Sequence, residues 1–180
     1  MELREVMENR RSIRAYKDTD IANEVVEDLI YHARLAPSAK NRQPWEFVIV
    51  KDEAKERITE IMLENLKEDE NNIAYSSVRE TAAVMKEAPV VILVFTEIDM
   101  DWLISDVLSV GAAIEHICLR ATDLGLGSLW ICDTVYTQEQ IAKFVGKEGK
   151  RMISAVAVGH GLQNPPQRPR KSVEEILTWF

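Results

Sequence analysis

The chain has 180 residues, 46% of them hydrophobic, and a formal net charge of -8. That length and apolar content specify one domain, 1–180, with a sizeable core, and exclude a disordered chain. The acidic balance excludes a general binder of nucleic acid or of anionic membrane, since both need a basic surface.

The longest apolar run, Pro89 to Phe95, is too short to span a bilayer. Met1-Glu2-Leu3-Arg4-Glu5 leads into charged sequence, not into the apolar region of a signal peptide. Two cysteines, Cys118 and Cys132, make no disulfide framework, so a reducing, cytoplasmic setting is expected. The expected partners therefore include no nucleic acid and no membrane.

In chain order, residues 2–9 predict a short amphipathic helix with Leu3, Val6 and Met7 on one face. Residues 23–36 predict a second, with Val25, Val26, Leu29, Ile30 and Ala33 at helical spacing and Pro37 as its stop. The β-branched and aromatic run 45–50 predicts a strand. Residues 53–67 predict a charged helix with Ile58, Ile61, Met62 and Leu66 as its apolar face, and 68–88 a polar, partly helical stretch. Residues 90–96 predict a strand buried on both faces. Residues 103–124 predict the main core helix, striped by Val107, Val110, Ile114, Ile117, Cys118, Ala121 and Leu124 and stopped by Gly125. A short strand is expected at 128–132 and another at 153–158. Thr137 with Gln140, and Ser172 with Glu175, predict capping boxes for two further helices, the first ending at Gly146. Helices interspersed with four strands predict a layered α/β or α+β domain, with an order compatible with a mixed sheet.

The chemistry the chain lacks narrows its function. There is no His-Glu-x-x-His, no metal-like spacing among His32, His116 and His160, no Cys-x-x-Cys, no Gly-x-Ser-x-Gly and no Walker A loop. No metal site is expected. Gly125-Leu126-Gly127 lacks the third glycine of a dinucleotide turn and follows a helix, so it reads as a helix stop.

Two basic clusters stand out against the acidic background. Arg10-Arg11-Ser12-Ile13-Arg14 lies near one end and Arg168-Pro169-Arg170-Lys171 near the other. No Asp or Glu occurs between Arg10 and Lys17, or between His160 and Val173. Each cluster alone reads as a solvated loop or as half of a phosphate site, where arginine forks and the Ser12 hydroxyl meet phosphate oxygens. Between them, the loop Pro37-Ser38-Ala39-Lys40-Asn41-Arg42-Gln43-Pro44-Trp45 carries two amide side chains between two prolines. It reads as an ordinary turn capped by Asn41, or as a reader of a heterocycle edge.

These motifs together resemble the FMN-dependent nitroreductase family. The resemblance rests on Arg-Arg-Ser-Ile-Arg, the Ala-Pro-Ser-Ala-Lys-Asn-Arg-Gln-Pro-Trp-Glu-Phe loop, Gly111-Ala112-Ala113-Ile114, Leu124 to Ile131, and Arg168 to Ile176. It covers nearly the whole chain in the family's order. It implies an α+β fold with a mixed, mainly antiparallel sheet flanked by helices, in an interlocked homodimer with FMN at the subunit interface. By that resemblance, Arg10, Arg11, Ser12, Arg14, Arg168 and Arg170 hold the phosphate and ribityl chain, with Arg14 reaching toward the pyrimidine edge. Pro37, Ser38, Ala39 and Asn41 contact FMN bound mainly to the partner, while Gln43 braces their loop. Trp130, Ile131, Cys132 and Asp133 run beside the ring. NADH or NADPH passes hydride through flavin N5 to a nitroaromatic, quinone or similar small acceptor by a ping-pong route, with no side-chain catalyst because the chemistry is the flavin's. Two alternatives are a different flavin reaction on the same scaffold, such as enone reduction or flavin breakdown, and a non-catalytic flavin- or nucleotide-binding protein. Cys132-Asp133 stands where the family commonly has Gly after Trp-Ile. Cys132 reads as a buried structural thiol, and Asp133 as an acidic group near the ring.

Overall fold

The computed structural model describes residues 1–64 and 73–180. Four strands, β1 (Trp45–Val50), β2 (Val90–Thr96), β3 (Gly127–Ile131) and β4 (Arg151–Gly159), form one sheet in the order β1-β2-β4-β3. Every pairing between these strands is antiparallel. The mixed character expected of the sheet shrinks to one isolated parallel bridge, Ser12 with Ser128 on the β3 edge.

The central strand β2 is buried throughout, and period-two alternation divides its side chains between two cores. Val91, Leu93 and Phe95 point to one layer, packed with Ile58, Met62, Val78, Met85 and Ile141. Those residues come from helices α3 (Asp52–Glu64), α4 (Ile73–Glu87) and α6 (Gln138–Phe144). Val90, Ile92 and Val94 face the other layer, where Leu29 of α2 (Asn23–Ala33) meets Val110, Ile114 and Ile117 of α5 (Leu103–Asp123). The domain is thus a sheet with helices on both faces, an α+β fold of three layers.

Most element limits agree with the sequence to within a residue or two. Helix α2 ends at Ala33, short of 36, because its last turn tightens: Leu35 and Ala36 donate to the carbonyls of His32 and Ala33. Pro37 excludes continued α geometry at the residue before it. The predicted extension of α3 to 67, including Leu66, and the segment 68–72 lie outside the described residues. Helix α5 ends in a Schellman turn, with Gly125 at φ 74° and the Leu126 amide donating to the Ala121 carbonyl at 2.8 Å. The capping box expected at Thr137 is absent. A 3-10 turn over Asp133–Thr137 leads into α6, and the Thr137 hydroxyl is turned inward, fully buried and without a partner among the described residues. The other box forms: Ser172 and Glu175 cap α7 (Val173–Ile176) reciprocally.

One strip of backbone unites the chain's ends. Residues 12–17 lie between β3 and the segment leaving β4. The Ile13 amide donates to the Ser128 carbonyl (3.0 Å), Lys17 to His160 (2.8 Å), and Leu162 to Ala15 (2.9 Å). The strip fits only because Gly127 and Gly159, register partners on β3 and β4, have no side chain. A Cβ at Gly127 would sit 2.7 Å from Ile13, and one at Gly159 2.6 Å from Tyr16 and Pro89. Gly127, which the sequence presents as part of a helix stop, is needed for this close approach. Tyr16 fixes the strip from below, its buried hydroxyl donating to the Ile13 carbonyl at 2.9 Å.

Candidate functional site

With the strip in place, the two basic clusters meet. Arg10, Arg11, Ser12 and Arg14 share one cavity of about 230 Å³ with Pro165, Pro166, Gln167, Arg168 and Arg170, and no carboxylate is among its lining residues. The four cluster residues on the N-terminal side and the two arginines on the C-terminal side are those singled out in the sequence. They are not equivalent. Arg11 is committed to the fold: Nε donates to the Pro165 carbonyl (3.2 Å) and Nη1 to those of Glu8 (2.6 Å) and Arg10 (2.9 Å). It ties the two chain ends together. Arg10 is braced by Glu115 of α5 at 3.5 Å, a carboxylate that no sequence motif marked. Arg168 and Arg170 pair with no carboxylate among the described residues, which leaves their forks for a ligand anion.

Arg14 also lines a second cavity, of about 270 Å³. One wall is the end of β3 together with the start of the next turn: Leu129, Trp130, Ile131, Cys132 and Asp133. The opposite wall is one face of α4, Ser77, Glu80, Thr81 and Val84, at the i, i+3, i+4, i+7 spacing of a helix. Trp130, Ile131, Cys132 and Asp133 therefore come together as a group, and Arg14 connects that group to the basic cavity. Asp133 is less free than the sequence suggested. One carboxylate oxygen accepts from the Ser77 hydroxyl at 2.9 Å and from the Thr81 hydroxyl at 2.5 Å. No sequence signal singled out Ser77 or Thr81, because serine and threonine on a polar helix face are ordinary.

The expectation for Cys132 is corrected. It is exposed, since it succeeds the last residue of β3 and begins a 3-10 turn on the cavity's wall. The buried structural thiol is Cys118, where loss of hydration pushes the pKa up to about 11.

The loop residues Pro37, Ser38, Ala39 and Asn41 line neither cavity of their own chain. The loop packs instead on the first half of α5, where the Ala39 amide donates to the Ser109 hydroxyl. It is held in an unusual conformation: Lys40, Asn41 and Gln43 have φ of 49°, 56° and 49°. Such left-handed non-glycine residues persist only where the surroundings fix them. The fixing contacts are clear. Ser38 Oγ accepts from the Gln43 backbone amide at 3.0 Å, and the Gln43 side chain donates to the Asn41 carbonyl at 3.5 Å. Arg42 forks onto buried Asp106 with two bonds of 3.1 Å, reaches Asp99 at 3.1 Å, and stacks 4.6 Å from the Trp102 ring. No motif marks Arg42 or Asp106; the available signal is that Asp106 stands four residues before Val110, at the head of the apolar face of α5.

Among the described residues no cluster of three metal-ligating side chains occurs, and no helix is long and apolar enough to cross a membrane.

This geometry has counterparts. A protein of Archaeoglobus fulgidus, provisionally named NADH dehydrogenase/NAD(P)H nitroreductase, is 32% identical over 159 residues, covering 84% of this chain and 80% of that protein. An iodotyrosine deiodinase of Thermotoga neapolitana is 29% identical over 189 residues, covering 95% of each. Among solved structures, a BluB-like flavoprotein of Clostridium difficile superposes with a TM-score of 0.83 at 26% identity, over 100% of this chain and 99% of that one. The sequence model of the Nitroreductase family matches residues 7–160, spanning both the N-terminal basic cluster and the Cys132–Asp133 wall. The chain belongs to the Nitroreductase family.

Proposed function

We propose that this chain is an FMN-dependent oxidoreductase that works as a homodimer, takes reducing equivalents from NADH or NADPH, and reduces a small planar acceptor such as a nitroaromatic or quinone. The observation that carries the reading is the meeting of the two basic clusters in one cavity with no carboxylate in its lining, joined through Arg14 to a second cavity lined by apolar Leu129, Ile131 and Val84 beside polar Ser77, Glu80, Thr81 and Asp133. The residues fit the cofactor on both counts: unpaired arginine forks suit a dianionic phosphate, and the adjoining slot suits a flat ring.

FMN, when bound, supplies the hydride chemistry. The chain's own work is to bind and orient. Arg10, Arg168 and Arg170, with the Ser12 hydroxyl, grip the phosphate. Arg11 keeps the two arginine sources in register from behind. Arg14, which lines both cavities, would present its positive charge to the ring of a bound cofactor. Leu129, Ile131 and Val84, which share one core layer, keep water from the α4 side of the slot, while the Trp130 ring lies on the other face of β3, against Gly111 of α5.

The dimer is part of the proposal. Pro37, Ser38, Ala39 and Asn41 complete a partner's site, which explains a tightly fixed loop remote from its own chain's cavities. Apolar side chains left in water support this. Ile104 and Leu108, one turn apart on α5, are 78% and 69% exposed. Val173, Ile176, Leu177, Trp179 and Phe180 of the terminal arm are exposed as well.

A second reading, reductive dehalogenation, is supported by the likeness to the Thermotoga iodotyrosine deiodinase along the whole chain. Iodide release from iodotyrosine separates the two; turnover of nitroaromatics without it favours the first. The test of the cofactor is direct. Purified protein, denatured and chromatographed, is expected to release FMN. Release of FAD, or failure to take up FMN on reconstitution, contradicts the proposal.

A further inference from the structure

A polar contact joins α4 to the turn after β3 at the second cavity. Helix α4 is amphipathic in an uncommon sense. Val78, Ala82, Val84 and Met85 are buried in the core, while Ser77, Glu80 and Thr81 join Val84 in walling the cavity. Ser77 and Thr81 are spaced i, i+4, so their hydroxyls project side by side. Both donate to one oxygen of Asp133, at 2.9 and 2.5 Å. Asp133 stands on the facing wall, in the 3-10 turn after β3. All three residues are half-buried, where a charge-assisted bond from hydroxyl to carboxylate is short and strong.

We infer that Asp133 is a positioning residue: its carboxylate clasps α4 through Ser77 and Thr81, fixes the separation of the two cavity walls, and so restricts the site to narrow, planar acceptors. The selectivity part rests on the oxidoreductase reading; the clasp itself does not. The acidic group at this position then acts on the α4 wall, which cannot retreat without breaking two bonds at once. Glu80, exposed on the same α4 face, makes no ion pair among the described residues and stays out of the clasp.

The test has two arms. The first is hydrogen exchange of the purified full chain without added flavin. Asp133→Ala is expected to raise exchange of the α4 amides about tenfold relative to those of β2 and β4, as one cooperative contact is lost. Ser77→Ala/Thr81→Ala should reproduce the effect, the triple variant should add little to either, and Asp133→Asn, which keeps an acceptor oxygen, should restore most of the protection. Unchanged α4 exchange in Asp133→Ala, or no effect of the hydroxyl pair, overturns the clasp. If Asp133→Ala fails to fold, the hydroxyl pair decides. The second arm uses reconstituted enzyme and compares benzoquinone with the larger menadione. Loosening the clasp should shift the ratio of kcat/KM toward menadione about fivefold or more, through KM; an unchanged ratio with raised exchange overturns the selectivity role. Wild-type protein that takes up no FMN refutes the oxidoreductase reading instead, and leaves the clasp to be judged by exchange alone.

Discussion

The six positions of the basic cavity that the sequence marks divide by what their side chains already do. Arg168 has no competing carboxylate among the described residues, so Arg168→Ala should weaken FMN binding about tenfold to a hundredfold, the loss expected of one charge-assisted contact, with little change in melting temperature. Arg11 donates to three backbone carbonyls, so Arg11→Ala should lower the melting temperature first and affect FMN only as the chain ends separate. A flavin titration beside a thermal melt for both variants checks the division; equal effects on affinity and equal effects on melting would contradict it. The cysteines give a second check at this scale. Native protein should react with one equivalent of thiol reagent, at exposed Cys132, and with a second only on unfolding, because burial keeps the Cys118 thiol protonated. Saturating FMN should slow labelling of Cys132, which lines the slot.

At the scale of elements, strand β2 carries the energetics. Phe95 is fully buried between the sheet and the α3–α4 layer. Phe95→Ala should cost about 3–5 kcal/mol in chemical unfolding, since a cavity remains where the ring was. Edge strand β1 is held by charge as well. Glu46 bonds Lys147 and Lys150, which pull its carboxyl pKa below the usual range, Lys147 most. A depressed carboxylate pKa contributes stability that is fully present above the unfolded value and is lost as pH falls through the folded one. The gap in melting temperature between wild type and Glu46→Gln should therefore be widest near neutrality, close below about pH 4, and narrow in high salt because Glu46 is partly exposed. Elements such as β2 and α5 were legible because burial is written into their sequences, as an unbroken apolar run in β2 and as a helical stripe in α5. The fate of Thr137 was not: whether a hydroxyl caps or turns inward depends on the 3-10 turn before it, which has no periodicity. Cys132 was misread for a related reason, since its exposure is decided by where β3 stops. The contacts of Asp133 and Arg42 join elements far apart in sequence, so only the fold could reveal them.

For the whole molecule, the basic clusters were legible as a pair because charge stood out locally. What the sequence did not disclose is the device that joins them, a backbone strip seated on Gly127 and Gly159. The chain by itself leaves Ile104, Leu108 and the terminal arm in water and turns the 37–43 loop away from its own cavities. Sedimentation should find a dimer, and a variant ending after Lys171 should lose both dimer and tight FMN binding; a truncated monomer that holds FMN tightly would contradict the shared site. The most direct test of the proposed activity is the absorption spectrum of the reconstituted protein under anaerobic conditions. The flavin bands should bleach on addition of NADH or NADPH and return on addition of a nitroaromatic or quinone. Bands that persist with both nicotinamides would contradict an oxidoreductase and leave a protein that binds flavin without using it.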